Sequence, residues 1–352
     1  MIKTNTLTGQ CPRCGAAEHL AYHSRYYLKD GRTVFVIRCW ECRRTFCDRF
    51  GTAFYDLKTP EEKVERAIHQ NLEGLSPEAI ARVEKVHPAT IWRWVKRAGE
   101  QGQAADARVI SQVRAENIEL DELASFAGAK QPDEEDDPAE VGQHWTHCAL
   151  ARESRLLLEV QVGPRNEQTA TALVKGTDVR LASDCFPLWS SDGWKPYGAA
   201  LLGVFQVIIH FIRPLKHRGF WKEPKVVPDP RLRYGQVVKE RQGRRLVSVS
   251  KRVVYGVAEL IPLKAISTSL LERLNGTIRQ HVVPLHRRTR GFAKCRTSLE
   301  RQVQLFKSYY NLCLPHGTLK GQTPGQAAKV TDHCWTLREL LTYKAAITSK
   351  IP

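Results

Sequence analysis

The sequence predicts an α/β protein: a mixed sheet flanked by helices, preceded by a cysteine-rich ribbon and a small helical module. Three observations lead there. Between residues 115 and 192, short stretches of period-two apolar alternation recur and are interrupted by a helical stretch, a mixture that builds layered sheet-and-helix domains. Residues 268–280, TSLLERLNGTIRQ, carry a strong helix signature. Residues 11–42 hold two C-x2-C pairs separated by 24 residues, a spacing too regular for incidental thiols.

The chain of 352 residues has room for two or three domains. It carries 54 Lys+Arg against 37 Asp+Glu, a net charge of +17, which points to a polyanionic partner. The charge is uneven. Residues 212–252 hold thirteen Lys/Arg and three acids, whereas residues 131–140 hold six acids and no base. The start, MIKTNTLTGQ, has no apolar h-region, and no run reaches ~18 apolar residues, which argues against secretion and membrane spanning. Ten cysteines are then expected as reduced thiols or metal ligands, and the expected location is cytoplasmic, at the nucleoid.

In chain order, Cys11, Cys14, Cys39 and Cys42 suit one tetrahedral zinc, since each pair spans an edge of the tetrahedron from a tight turn. Gly15 fits that turn, residues 33–37 (TVFVI) read as a strand feeding the second pair, and Cys47, His19 and His23 read as spectators. Residues 59–62 (TPEE) open a helix to about Leu72, residues 76–78 (SPE) a second, and residues 89–98 (ATIWRWVKRA) a third. That trio matches a helix-turn-helix. Ile91 and either Trp92 or Val95 would face its core, and Thr90, Arg93, Lys96 and Arg97 would face DNA. Residues 99–107 then read as a polar linker. Residues 115–126 (AENIELDELASF) read as a strand on which Asp121 and Glu122 point to opposite faces. Two more strands follow at 145–150 and 154–162, with the acidic run 133–137 as a solvated loop. A helix is expected over 167–179, and an apolar run then ends at Asp192-Gly193. An acid at the carboxyl end of a strand is where open α/β sheets place ligands; read alone, Asp192-Gly193 is an ordinary turn, and Asp184 is a rival. Residues 213–263 read as a basic insertion lying on DNA, with a hairpin turning at Gln242-Gly243. In residues 268–280, Ser269 and Glu272 have capping-box spacing. Leu271, Leu274 and Ile278 make the buried stripe, and Glu272, Asn275, Gly276 and Arg279 share another face. Read alone, Glu272 does no more than close the capping box. A basic run at Arg287, Arg288 and Arg290 and a helix over 299–312 complete the pattern.

Taken together, IELDEL (118–123), SSDGWKPY (190–197), TSLLERLNGTIRQ (268–280), RRTRGFAK (287–294) and YYNLCLPHGTL (309–319) resemble the DDE transposases of prokaryotic insertion sequences, the insertion-sequence-one-like group in particular. The resemblance covers nearly the whole chain. It implies an RNase H-like fold and a catalytic triad of Asp121, Asp192 and Glu272 holding magnesium or manganese. The partners it implies are double-stranded DNA at the element's ends and target, met by a homo-oligomer on DNA. Arg273, Asn275 and Arg279, with Arg287, Arg288 and Arg290, become DNA contacts. The implied layout is a zinc ribbon over 1–55, helix-turn-helix over 56–104, linker 105–115, catalytic domain 116–320 with the insertion at about 213–263, and a tail over 321–352. Two positions depart from the family pattern. Between Asp192 and Glu272 lie 79 residues, and Ala124 stands where a bulky residue is expected. The rival readings are a DNA-binding regulator or inactive remnant that uses only the ribbon and helix-turn-helix, and a nuclease without strand transfer.

Overall fold

The computed structural model describes residues 10–17, 19–209, 223–243 and 245–344. Its N-terminal ribbon is an antiparallel sheet of β1 (Leu20–Tyr27), β2 (Thr33–Cys39) and β3 (Thr45–Cys47), with β2 in the middle. The alternating run expected at 33–37 is β2, and it delivers Cys39 at its last residue. Three helices follow: α1 (Glu61–Leu72), α2 (Pro77–Glu84) and α3 (Pro88–Val109). Ser76 caps α2 by accepting the Ala79 N–H at 3.2 Å, and the His87 ring accepts the Ala89 N–H at the start of α3. Lys85, in the left-handed region at φ 52°, turns the chain between them.

The polar linker does not form. Helix α3 continues without a break from Ala98 to Val109, so residues 105–109 of the expected linker are helical as well. The reason is a partner the local sequence does not reveal. The continuation packs against α7 (Arg296–Leu312), and two glycines let the backbones approach. A Cβ on Gly99 would lie 2.3 Å from the Arg301 carbonyl oxygen, and one on Gly102 would lie 2.9 Å from the Ser308 Oγ.

The main sheet contains β4 (Asn117–Ala127), β5 (Gly142–Ala151), β6 (Leu156–Gly163), β7 (Leu188–Asp192), β10 (Arg233–Gln242) and β11 (Arg245–Tyr255), in the order β11-β10-β7-β4-β5-β6. A separate hairpin pairs β8 (Gln206–Ile209) with β9 (Lys225–Pro228). β4 runs antiparallel to β5, and β5 to β6, while β7 is parallel to both β4 and β10. This mixed six-stranded sheet with helices on both faces is compatible with an RNase H-like fold. Against one face lie α4 (Glu167–Asp178) and α5 (Lys195–Val204), around Leu120, Leu158, Leu173, Trp189 and Leu201. Against the other lie α6 (Ser269–His281) and α7, around Leu123, Leu150, Leu271, Ile278 and Phe306.

Two regions differ from expectation. The basic insertion was expected to contribute little core, yet its hairpin is β10–β11, and β10 sits inside the sheet with Tyr234 fully buried. Its alternation is masked in sequence by Arg and Lys on the solvent side. Residues 213–222 of that insertion lie outside the described residues. Nor is the segment from 321 onward a free tail. It forms α8 (Pro324–Ala327) and α9 (Leu337–Thr342), and Leu340 and Leu341 enter the core that Ile68, Ile80, Ile91 and Trp94 build. Residues 345–352 lie outside the described residues. No helix among the described residues is long and apolar enough to cross a membrane.

One buried ion cluster joins these parts. Lys307 of α7 and Asp106 of α3 are both fully buried, with Nζ 2.7 Å from Oδ2. Arg180 reaches Asp106 and Glu159 of β6, each at 2.8 Å. Burial opposes ionisation of Glu159, but the charges of Lys307 and Arg180 hold its carboxyl below the usual range. Removing one member of such a cluster strands its partners, at about 3–5 kcal/mol. Lys307→Met is therefore expected to cost about 3 kcal/mol, read as a lowered midpoint in chemical denaturation. Gly99→Ala is expected to destabilise as well, against its gain of about 1 kcal/mol in helix propensity. An unchanged midpoint in both would show that α3 is not clamped here.

Candidate active site and metal centre

The three acids from the sequence converge on the α6 face of the sheet. The parallel pairing of β4 with β7 sets Glu119 opposite Ser190; two residues further along each strand, Asp121 stands level with Asp192. Neighbouring strands lie about 4.8 Å apart, and level residues point to the same face. Helix α6 then runs along that face. Glu119 accepts the Leu271 N–H at 2.8 Å, and Asp121 Oδ2 accepts from Asn275 Nδ2 at 2.6 Å. The spacing matches: two strand residues cover about 6.6 Å, and four helix residues rise about 6 Å.

Each carboxylate has its own environment. Burial, then the charges of Glu122, Asp192 and Glu272, push the Asp121 carboxyl up to about 7. Asp192 Oδ1 accepts the Trp194 N–H at 2.9 Å, which fixes the turn after β7. Glu272 accepts from the Thr268 hydroxyl at 2.6 Å and from Lys239 Nζ at 2.5 Å. Burial works against its ionisation, but those two bonds hold it below the usual range. Lys239 comes from β10, two residues beyond Val237, which pairs with Asp192.

Several expectations need correction. Ser269 and Glu272 form no capping box; Thr268 precedes the helix without a side-chain cap. Glu119, a buried acid on β4 that sequence reading passed over, supplies an acceptor for the helix's third N–H instead. Asn275 was expected to contact DNA, but it is buried with its amide on Asp121, so it orients that carboxylate. Arg273 lies on the other flank of α6, beside Arg155 and His316, while Arg279 lies within Coulombic reach of Asp121 and Arg287. Arg287, Arg288 and Arg290 are exposed. Gly276 has open space where a Cβ would stand, so no packing within the described chain demands glycine. Asp184 is spent on an exposed ion pair with Arg114 at 2.8 Å.

Glu122 does face away from Asp121, as alternation requires, but it is far from idle. Arg165 donates to it at 2.5 and 2.9 Å and Tyr197 at 3.0 Å. Arg165 is itself set over the rings of Trp145 and Trp194, at 4.7 and 4.9 Å. Its binding to Glu122 thus steadies the Trp194 turn that positions Asp192.

In the ribbon, the Sγ atoms of Cys11, Cys14, Cys39 and Cys42 all lie within 4.8 Å of one another. Cys11 and Cys42 are 3.8 Å apart, and Cys14 and Cys39 3.7 Å. Four sulfurs about 2.3 Å from a central zinc would be about 3.8 Å apart, so the set fits a tetrahedral ion. Gly15, at φ 78°, closes the first turn by donating to the Cys11 carbonyl at 2.9 Å. Cys47 belongs to a separate cluster with Leu28 and Val34, and His19 bonds Glu41; neither joins the set. In α3, Ile91, Trp94 and Val95 are buried, which settles the second core position on Val95. Arg93 and Lys96 are exposed and Thr90 half-buried, while Arg97 donates to the Tyr55 carbonyl.

No family model matches the sequence, and no curated protein matches it. Among solved structures, the chain is similar to the crystal structure of the Mos1 Strand Transfer Complex, at 9% identity and a TM-score of 0.17. The match covers 41% of this chain and 54% of that one. Overlap so slight fixes neither fold nor function.

Two outcomes are expected. Metal analysis should give about one zinc per chain, lost when either cysteine pair is replaced by serine; a zinc-free protein would remove the centre. The second concerns the crowded acids. Asp121 has a raised pKa in the fold, so its stabilising contribution is present at low pH and lost as pH rises through about 7. Asp121→Asn should therefore stabilise the ion-free protein above pH 7, by about 2 kcal/mol. Manganese should raise the denaturation midpoint of the natural protein there and leave that of Asp121→Asn nearly unmoved.

Proposed function

We propose that this chain is a DDE-type transposase of a prokaryotic insertion sequence, of the insertion-sequence-one-like kind. It binds the ends of its element and carries out metal-dependent strand cleavage and strand transfer. The observation that carries the reading is the levelling of Asp121 with Asp192 on adjacent parallel strands, beneath the helix that bears Glu272. The donors are all carboxylate oxygens, which suit magnesium or manganese. Two such ions, when bound, activate an attacking oxygen and stabilise the leaving 3′ oxygen of an in-line displacement.

The chain's own groups supply the rest. Asn275 turns Asp121, the Trp194 N–H holds Asp192, and Thr268 holds Glu272, so the three acids are preorganised. Lys239 offsets the third negative charge. In the first step a water oxygen bonds to phosphorus as the P–O3′ bond breaks; the water's proton passes to solvent or to a carboxylate, and the leaving O3′ takes a proton from solvent to become a hydroxyl. In the second, the freed 3′ hydroxyl attacks a target phosphate in the same way. The absence of packing around Gly276 leaves the helix surface open to a close DNA backbone. Thr90, Arg93 and Lys96 at the start of α3 form the surface for reading the element's ends, and the zinc ribbon supports it. Arg97 contributes less, being tied to Tyr55.

Asp192→Asn keeps the side-chain shape and removes the charge. With labelled element ends and manganese, it should lower cleavage and joining by at least about a thousandfold while end-binding stays within about twofold. Retained cleavage would eliminate the triad. Specific end-binding without cleavage by the natural protein would favour the regulator.

A further inference from the structure

Further along β4 from Asp121 lies a groove of about 540 Å³ that no described residue fills. Ala124, three residues further along β4, lines it, about 10 Å from the carboxylate. Phe126, Lys130, Arg279, Arg287 and Arg288 stand around the same space. We propose that this groove receives an unpaired nucleotide of the bound DNA, with its base against Phe126 and its phosphate among Lys130, Arg279, Arg287 and Arg288. The assignment of DNA as the ligand rests on the transposase reading; the groove's chemistry does not.

Two features fit that occupant together. The first is charge. None of the three arginines is paired with a carboxylate among the described residues, and Lys130 meets only the Phe126 ring, at 5.5 Å. Burial and the nearby charge of Arg287 push Arg279 below its ordinary range, so these cations repel one another until an anion enters. The second is the aromatic wall. Phe126 is half-exposed in the groove yet held rigid: its ring lies 5.2 Å from that of Phe292, and Ala127 bridges Ala293 beneath them. Lys294 covers the far side of Phe292 at 4.3 Å. Cations alone would suit any duplex backbone. An aromatic platform among them suits a base freed from its stack, because paired bases already cover one another's faces.

The test uses the full-length protein in chelator, with fluorescence anisotropy on two probes of equal phosphate count: an oligothymidylate and a blunt duplex of mixed sequence. Phe126→Ala should weaken oligothymidylate binding about tenfold and change duplex binding less than about twofold. Lys130→Glu, at an exposed position that cannot threaten the fold, should reproduce the selective loss. Equal loss on both probes would make the groove a stretch of duplex track and overturn the proposal, as would no loss on either. A natural protein that fails to cleave while the variants keep the selective loss removes the transposase reading and leaves the groove. Cleavage without selective loss removes the groove alone.

Discussion

The structure depends on a buried cluster of four charges: Asp106, Lys307, Arg180 and Glu159. They come from α3, α7, the turn after α4 and β6, so the N-terminal helices, the last long helix and the sheet meet at one point. Such groups are costly to desolvate and tolerable only when every partner is in place. The glycines of α3 give the cluster its geometry, because only a close helix pair brings Asp106 to Lys307. The helix expected to read DNA is thus the opening of a 22-residue rod whose other end is clamped to the six-stranded sheet. A hinge between the two parts has no place in that arrangement, and the C-terminal segment reinforces it by packing Leu340 and Leu341 against the same helices.

The site follows from a second constraint, the fixing of α6 along β4. Glu119 takes a free N–H of the helix's first turn, and Asn275 reaches down to Asp121. Helix N-termini favour a negative partner, and Glu119 is that partner although it is on a strand distant in sequence. Once the helix is held at both points, Glu272 can only face outward toward Lys239 and the neighbouring strand. The acids are then close enough to raise one another's proton affinity, as Asp121 shows, and a cation is the natural remedy. On the opposite face, Glu122, Arg165, Tyr197 and Trp194 tie Asp192's turn to α5. The two faces of β4 are therefore coupled: one carries the clustered acids and the other holds the turn that bears Asp192.

Charge is distributed with the same economy. The acids of 133–137 lie in an exposed loop away from any metal-capable cluster among the described residues. Unpaired arginines gather instead around the groove at Phe126 and Ala124. Of these cations, Arg279 lies within Coulombic reach of Asp121.

Local sequence determined much of this. The C-x2-C pairs, the Ser76 cap of α2, the strands of β4 to β7 and the buried stripe of α6 are all set by neighbours within a few residues, where spacing and propensity act directly. Local sequence alone left Asp192 as a turn residue and Glu272 as a capping residue; only the resemblance across five motifs grouped them with Asp121. What sequence could not supply depends on partners far along the chain. The helix after Ala98 is held by α7, the strand β10 is buried by β7 and β11, and α6 is capped by Glu119 rather than by Ser269. Asn275 changed from a DNA contact to a holder of Asp121 for the same reason. Periodicity records which face a residue shares; only tertiary packing decides what that face meets.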